Sequence, residues 1–140
     1  MVMSYDKEQT INYLIGKNIK PSLQRIAIMQ YMLNHLEHPT VDDVYQALAR
    51  EIPTLSKTTV YNTMSLLESA GAINSLTIDE KNVRYDSNTE RHAHLKCRKC
   101  GRVFDMKMPT MTDGESDDFE IDKIEILYYG ICKECRRKQE

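Results

Sequence analysis

Two Cys-x-x-Cys units hold all four cysteines of this 140-residue chain: Cys97/Cys100, followed at once by Gly101, and Cys132/Cys135. A Cys-x-x-Cys turn lets two sulfurs face one point, and two such turns complete a tetrahedral shell of four thiolates. The 31 residues between Cys100 and Cys132 exceed the shortest zinc-ribbon spacings, but a strand excursion that returns would close the site. A filled four-thiolate shell leaves no open position, so the Zn2+ predicted at Cys97, Cys100, Cys132 and Cys135 holds the fold and does no catalysis.

The same stretch, "RHAHLKCRKCG", also carries His92 and His94. With the cysteines matched downstream, these imidazoles belong to something else. At i and i+2 on a strand they point to the same face. Asp86, Asp105 and His38 stand where they could join them, with Glu37 and His35 as rivals. Three nitrogens and up to two carboxylates form a harder donor set than four thiolates, suited to Fe2+, Mn2+ or Zn2+. Ligands drawn from two domains would tie metal occupancy to the domain angle.

The chain around these residues reads as two domains. Tyr5–Lys17, Ser22–His35, Val41–Glu51 and a helix from Ser56 to Gly71 carry apolar residues close to a 3.6 period. Their inward positions include Ile11, Leu14, Ile15, Leu23, Ile26, Met29, Leu33, Val44, Leu48, Val60, Met64 and Leu67. Ile73–Ile78 and Asn82–Asp86 read as strands of a hairpin. Helices followed by a hairpin describe a winged helix-turn-helix. After a polar linker come strands at His92–Lys96 and Arg102–Met106, the acidic stretch Thr112–Asp118, and a longer strand at Phe119–Tyr129. The fold class is α+β: residues 1–86 form a winged helix-turn-helix domain, 87–91 a hinge, and 92–140 a small α/β domain with the four-cysteine zinc site.

Charge argues against loose nucleic-acid binding. Residues 1–88 hold 8 Lys+Arg against 10 Asp+Glu, and the remainder 11 against 11. A specific local face is still available. Opposite the stripe Val60, Met64 and Leu67, the fourth helix presents Lys57, Thr58, Tyr61, Asn62 and Ser65, a set able to meet phosphate, a thymine methyl and base edges. Lys17, Lys20, Arg25 and Arg84 are candidate backbone contacts. No apolar run reaches spanning length, and Asp6, Lys7 and Glu8 stand where a signal peptide would be apolar. A cytoplasmic protein without membrane partners is expected.

The ordered runs "HPTVDDVYQAL", "LSKTTVYNTMSLLESAG", "VRYD", "HAHLKCRKCG", "VFD" and "YYGICKEC" resemble the Fur family of metal-dependent bacterial repressors, most of all its peroxide-sensing PerR type. The resemblance covers nearly the whole chain. It implies a homodimer on a palindromic operator in double-stranded DNA, with the C-terminal domain dimerising. It makes the four cysteines the structural zinc ligands, and His38, Asp86, His92, His94 and Asp105 a regulatory site for Fe2+ or Mn2+. In PerR-type proteins peroxide oxidises a ligand histidine when iron is bound, here His38 or His92, and the repressor leaves DNA. No enzyme activity and no small-molecule substrate other than peroxide are implied. The same ligands would serve a regulator that reads only iron or zinc level. A zinc hydrolase is the rival of another class, but no HExxH is present. Two departures stand out. The segment between Asp105 and Phe119 is short and acidic where the family has a helix. No histidine follows His94, so a further histidine site in the C-terminal domain is missing.

Overall fold

The structure, a computed structural model, describes residues 4–79, 81–110, 118–121 and 123–139. It divides into two compact units, Met1–Thr89 and Glu90–Glu140.

The first unit is four helices and a hairpin: α1 (Lys7–Gly16), α2 (Leu23–Asn34), α3 (Val41–Leu48), α4 (Lys57–Ser69), β1 (Asn74–Leu76) and β2 (Arg84–Asp86). Each helix starts on a side-chain cap. Asp6 accepts from the Gln9 backbone N–H while the Gln9 side chain accepts from that of Asp6. Thr40 and Asp43 form the same reciprocal box before α3, and Ser22 and Ser56 cap α2 and α4. These caps satisfy amides that the first helical turn leaves without partners. Gly71, at φ +77°, takes the left-handed position that ends α4.

The core gathers Leu14, Ile28, Met29, Met32, Val44, Val60, Met64, Leu67 and Ile73, all fully buried. Two residues read as inward lie outside it. Ile15 is 57% and Leu23 77% exposed. The buried face of α1 is centred on Thr10 and Leu14, one turn apart, which rotates Ile15 off it. Leu23 stands at the first position of α2, ahead of the buried stripe that starts at Ile26. Helix α3 stops at Leu48 and not at Glu51. Pro53 disfavours helical backbone at Ile52, and Leu55 then anchors the connection in the core at 4% exposure. Strands β1 and β2 pair antiparallel, Asn74 opposite Asp86 and Leu76 opposite Arg84.

In the second unit β3 (Ala93–Cys97) lies between β4 (Val103–Met106), antiparallel, and β5 (Leu127–Gly130), parallel. Helix α5 (Lys133–Lys138) follows. The expected strand over Phe119–Tyr129 is shorter, because β3 offers β5 partners only from His94 to Cys97. The pairing reaches back no further than the His94 amide on the Ile126 carbonyl. Most of the acidic stretch Thr112–Asp118 lies outside the described residues. No described helix is long and apolar enough to cross a membrane.

Candidate metal centres and the outer face of the fourth helix

The four cysteines converge. Their sulfurs all lie within 4.8 Å of one another, with no disulfide among them. The Sγ atoms of Cys100 and Cys132 are 3.9 Å apart. Zinc–sulfur bonds of about 2.3 Å in a tetrahedron place sulfurs roughly 3.8 Å apart, so the spacing fits one Zn2+. Local backbone builds the site. Gly101, at φ +77°, closes the first turn by donating its amide to the Cys97 carbonyl at 2.9 Å. The Cys132 amide donates to the Cys97 sulfur at 3.3 Å.

Electrostatics gives a second test of fit. Backbone N–H groups of Cys100 and Cys132 aimed at its sulfur pull the Cys97 thiol down to about 5. Arg102 lowers Cys100, chiefly through its side-chain hydrogen bond. Cys135 goes the other way, pushed up to about 12 by burial and then by its neighbouring thiols. The site thus favours the thiolate at Cys97 and Cys100, while burial opposes it at Cys135, and a divalent cation would offset that cost.

The harder donors sit as two half-sets, one in each unit. In the first, His38 Nε2 is 3.4 Å from Asp86 Oδ2, both side chains being 2% exposed. Asp86 belongs to β2. His38 precedes α3 and holds a left-handed backbone at φ +65°. In the second, Asp105 Oδ1 is 3.1 Å from His92 Nε2 and 3.3 Å from His94 Nε2. Cross-strand pairing of His94 with Asp105 sets this contact. The Nδ1 of His92 lies 2.6 Å from the Glu90 carbonyl. A donated hydrogen bond there puts the Nε2 lone pair on the side of Asp105. Ligand atoms sharing one ion at bonds near 2.1 Å lie roughly 3–3.4 Å apart, so both half-sets have coordination spacing. The rival His35 is committed elsewhere. It stacks on Tyr31 at 3.9 Å between centroids, and its Nδ1 meets the Tyr31 carbonyl at 2.8 Å.

On α4, Val60, Met64 and Leu67 are fully buried, with Thr63 beside them at 8%. Lys57, Thr58, Tyr61 and Asn62 are exposed and Ser65 is half-buried. Lys57 Nζ pairs with Asp42 of α3 at 3.0 Å. Lys17 lies 5.8 Å over the Tyr13 ring, Lys20 is exposed, and Arg25 donates to the Lys20 carbonyl at 2.9 Å. Arg84 is engaged inside the first unit, with Asp79 at 3.2 Å and the His38 carbonyl at 3.1 Å.

Sequence reasoning missed the surroundings of the cysteines. Arg102 Nε donates to Cys100 Sγ at 3.4 Å, and its guanidinium also pairs with Glu134 in α5. The signals were an arginine directly after Cys-Gly and a glutamate between the last two cysteines.

A helix-turn-helix with a wing, joined in one chain to a four-thiolate cluster and His/Asp sets, defines a metal-binding transcription factor. Residues 16–131 match the Ferric uptake regulator (Fur) family. The peroxide-responsive repressor PerR of Staphylococcus epidermidis is 33% identical over 97% of this chain and 94% of its own. Among solved structures, PerR from Streptococcus pyogenes is 28% identical over 95% of each chain, with a TM-score of 0.53. The iron-containing ferric uptake regulator of Francisella tularensis is 29% identical over 84% of this chain and 95% of that one, with a TM-score of 0.67. The chain belongs to the Fur family. Members of that family are transcriptional regulators.

Proposed function

We propose that the chain is a cytoplasmic, homodimeric repressor that leaves its operator when peroxide oxidises one of its own metal-binding histidines. The observation that carries the reading is the pair of His/Asp half-sets. His38 with Asp86, and His92 and His94 with Asp105, supply the donors of a single Fe2+ or Mn2+. Resemblance to PerR-type proteins supports joining them, and one ion bound by both half-sets would link the DNA-binding unit to the C-terminal unit. Zn2+ in the four-thiolate site would keep the second unit folded meanwhile.

On this reading His38, Asp86, His92, His94 and Asp105 would hold the ion, and peroxide would react beside them. Bound Fe2+ would supply the electrons that break the O–O bond, whereas Mn2+ would hold the ligands without that reaction. The protein's part is placement. Asp105 and the Glu90 carbonyl orient His92, and the fold buries His38. In net terms the imidazole of His38 or His92 would be the two-electron reductant: one of its C–H bonds would become C–OH with one peroxide oxygen, the other oxygen would leave as water, and the iron would end again as Fe2+. The oxidised ring would be a poorer ligand and would loosen its half-set. DNA would be read by Lys57, Thr58, Tyr61, Asn62 and Ser65 in the major groove, with Lys17, Lys20 and Arg25 on phosphates. A symmetric dimer implies a palindromic operator.

The test uses an operator selected from a random duplex pool by the Mn2+-loaded protein. Iron-loaded and manganese-loaded forms are prepared without oxygen and treated with sub-stoichiometric peroxide. Operator affinity should fall in the iron form alone, and the peptide bearing His38 or His92 should gain one oxygen atom. Unchanged affinity in the iron form, with binding that still tracks added metal, would replace this reading by a regulator of metal level.

A further inference from the structure

We propose that Arg84 is a positioning residue for the regulatory ion, a clamp that ties the turn of the wing hairpin to His38. The inference rests on the reading of His38 as a ligand of that ion.

His38 sits in a backbone region that non-glycine residues seldom occupy, at φ +65°. A side chain mounted on such a backbone is aimed only if neighbouring structure fixes it. Strand β2 does so in two ways. Thr40 forms an antiparallel bridge with Arg84, made by the Tyr85 amide donating to the Pro39 carbonyl at 2.9 Å. The second tie falls on His38 itself, where Arg84 Nη1 donates to the carbonyl at 3.1 Å. It is the side-chain tie of the two. Two residues further along β2 stands Asp86, whose carboxylate meets the His38 ring. One three-residue strand therefore carries both the partner of the ring and the group that holds its backbone.

The other edge of the Arg84 guanidinium faces the hairpin turn. Its Nε donates to Asp79 Oδ2 at 3.2 Å, and Asp79 Oδ1 accepts the Lys81 amide at 3.0 Å. Side-chain exposure is 20% for Arg84 and 10% for Asp79, so solvent screens this pair little. Serving a carboxylate on one edge and a carbonyl from the other requires a planar fork, which lysine lacks. The wing turn and the His38 backbone thus share one rigid side chain.

The experiment titrates Mn2+ into the full-length, zinc-loaded protein and reads free Mn2+ by electron paramagnetic resonance. Arg84→Ala should weaken Mn2+ binding about tenfold or more, as expected for groups that orient a ligand. Arg84→Lys should recover part of it, and Asp79→Asn should give a smaller loss. Zinc content should stay unchanged throughout. Added to His38→Ala, the Arg84→Ala change should cost nothing further, because it acts through the same ligand. Two results would overturn the clamp: an Arg84→Ala protein that binds Mn2+ within twofold of wild type, or equal added loss on both backgrounds. Wild type that takes up no Mn2+, or His38→Ala that binds it normally, would instead sink the regulatory-site reading.

Discussion

The Arg102 guanidinium donates through Nε to the sulfur of Cys100 at 3.4 Å while holding Glu134 with another nitrogen. It also lies 5.3 Å from the centre of the Phe104 ring. Cys100 is the exposed member of the four cysteines. With Zn2+ bound, four thiolates would carry two negative charges in excess, and Arg102 stands beside the sulfur most open to solvent. Hydrogen bonds to metal ligands tune affinity about 10–100-fold. Arg102→Ala should therefore speed loss of zinc to a chromogenic chelator by a factor in that range. Glu134→Gln should have a smaller effect in the same direction. Release at the wild-type rate from Arg102→Ala would show that the contact has no bearing on the metal.

The second unit would depend on Zn2+ at the four cysteines more than the first. Its described regular structure is three strands of four or five residues and the six-residue α5. Cys132 connects strand to helix, being the N-cap of α5 and, through its amide, a donor to Cys97. Where a site forms only in the folded state, metal binding free energy becomes folding free energy. Cys132→Ser should lose zinc and the ordered signals of β3, β4, β5 and α5 by nuclear magnetic resonance, with the helices of residues 7–69 retained. A variant that keeps both zinc and those signals would remove Cys132 from the ligand set.

Tyr13 offers a test confined to the first unit. Its hydroxyl donates to the Ala72 carbonyl at 2.8 Å, tying α1 to the entry of the hairpin. Loss of such a bond costs about 1 kcal/mol, which Tyr13→Phe should show in urea denaturation at neutral pH. Burial, and then the Tyr5 charge, raises the Tyr13 pKa above the ordinary tyrosine value of 10.0. The unfolded chain then ionises first. The stability contributed by Tyr13 is full below pH 10 and is lost as pH rises from there through the raised folded value. The gap between wild type and Tyr13→Phe should narrow over that range, though the raised Tyr31 and Tyr85 keep some pH dependence in both proteins. A gap that does not change would mean that Tyr13 titrates alike in folded and unfolded chains.

Much of this was legible in the sequence because the signals were local. Ser22, Ser56 and Gly71 mark helix ends by their own chemistry, and a Cys-x-x-Cys turn needs no distant information. His94 stands on β3 as alternation expects, whereas His92 falls one residue before the strand and reaches Asp105 from there. The longer strand at Phe119–Tyr129 was over-read because its length depends on where β3 ends, a property of another segment. Helix α5 was missed because six residues cannot show a helical period, and its position is set by Cys132 at the cysteine cluster. From the sequence Arg84 is a candidate contact to the DNA backbone, with no sign of its partners inside the unit. Only the register that sets Leu76 against Arg84, and the bridge to Thr40, show it turned toward Asp79 and the His38 loop.

The pairing of Lys57 with Asp42 bears on DNA affinity. The two side chains are 59% and 54% exposed, so the contact adds little to stability. It nonetheless places a carboxylate beside the first cation of the proposed reading helix, in a chain whose first 88 residues are already net acidic. A lysine that meets phosphate must give up that partner. Asp42→Asn should therefore tighten operator binding several-fold at low salt. Lys57→Gln should weaken binding across sequences and reduce the slope of log affinity against log salt by about 1. Substituting Asn62 or Tyr61 by Ala should do the opposite, leaving the slope unchanged while relaxing discrimination among bases by about 1–3 kcal/mol. Fluorescence anisotropy over a salt series, on the selected operator and on a scrambled duplex, separates the two classes. A Lys57→Gln protein with an unaltered slope would take α4 off the phosphate backbone at that end.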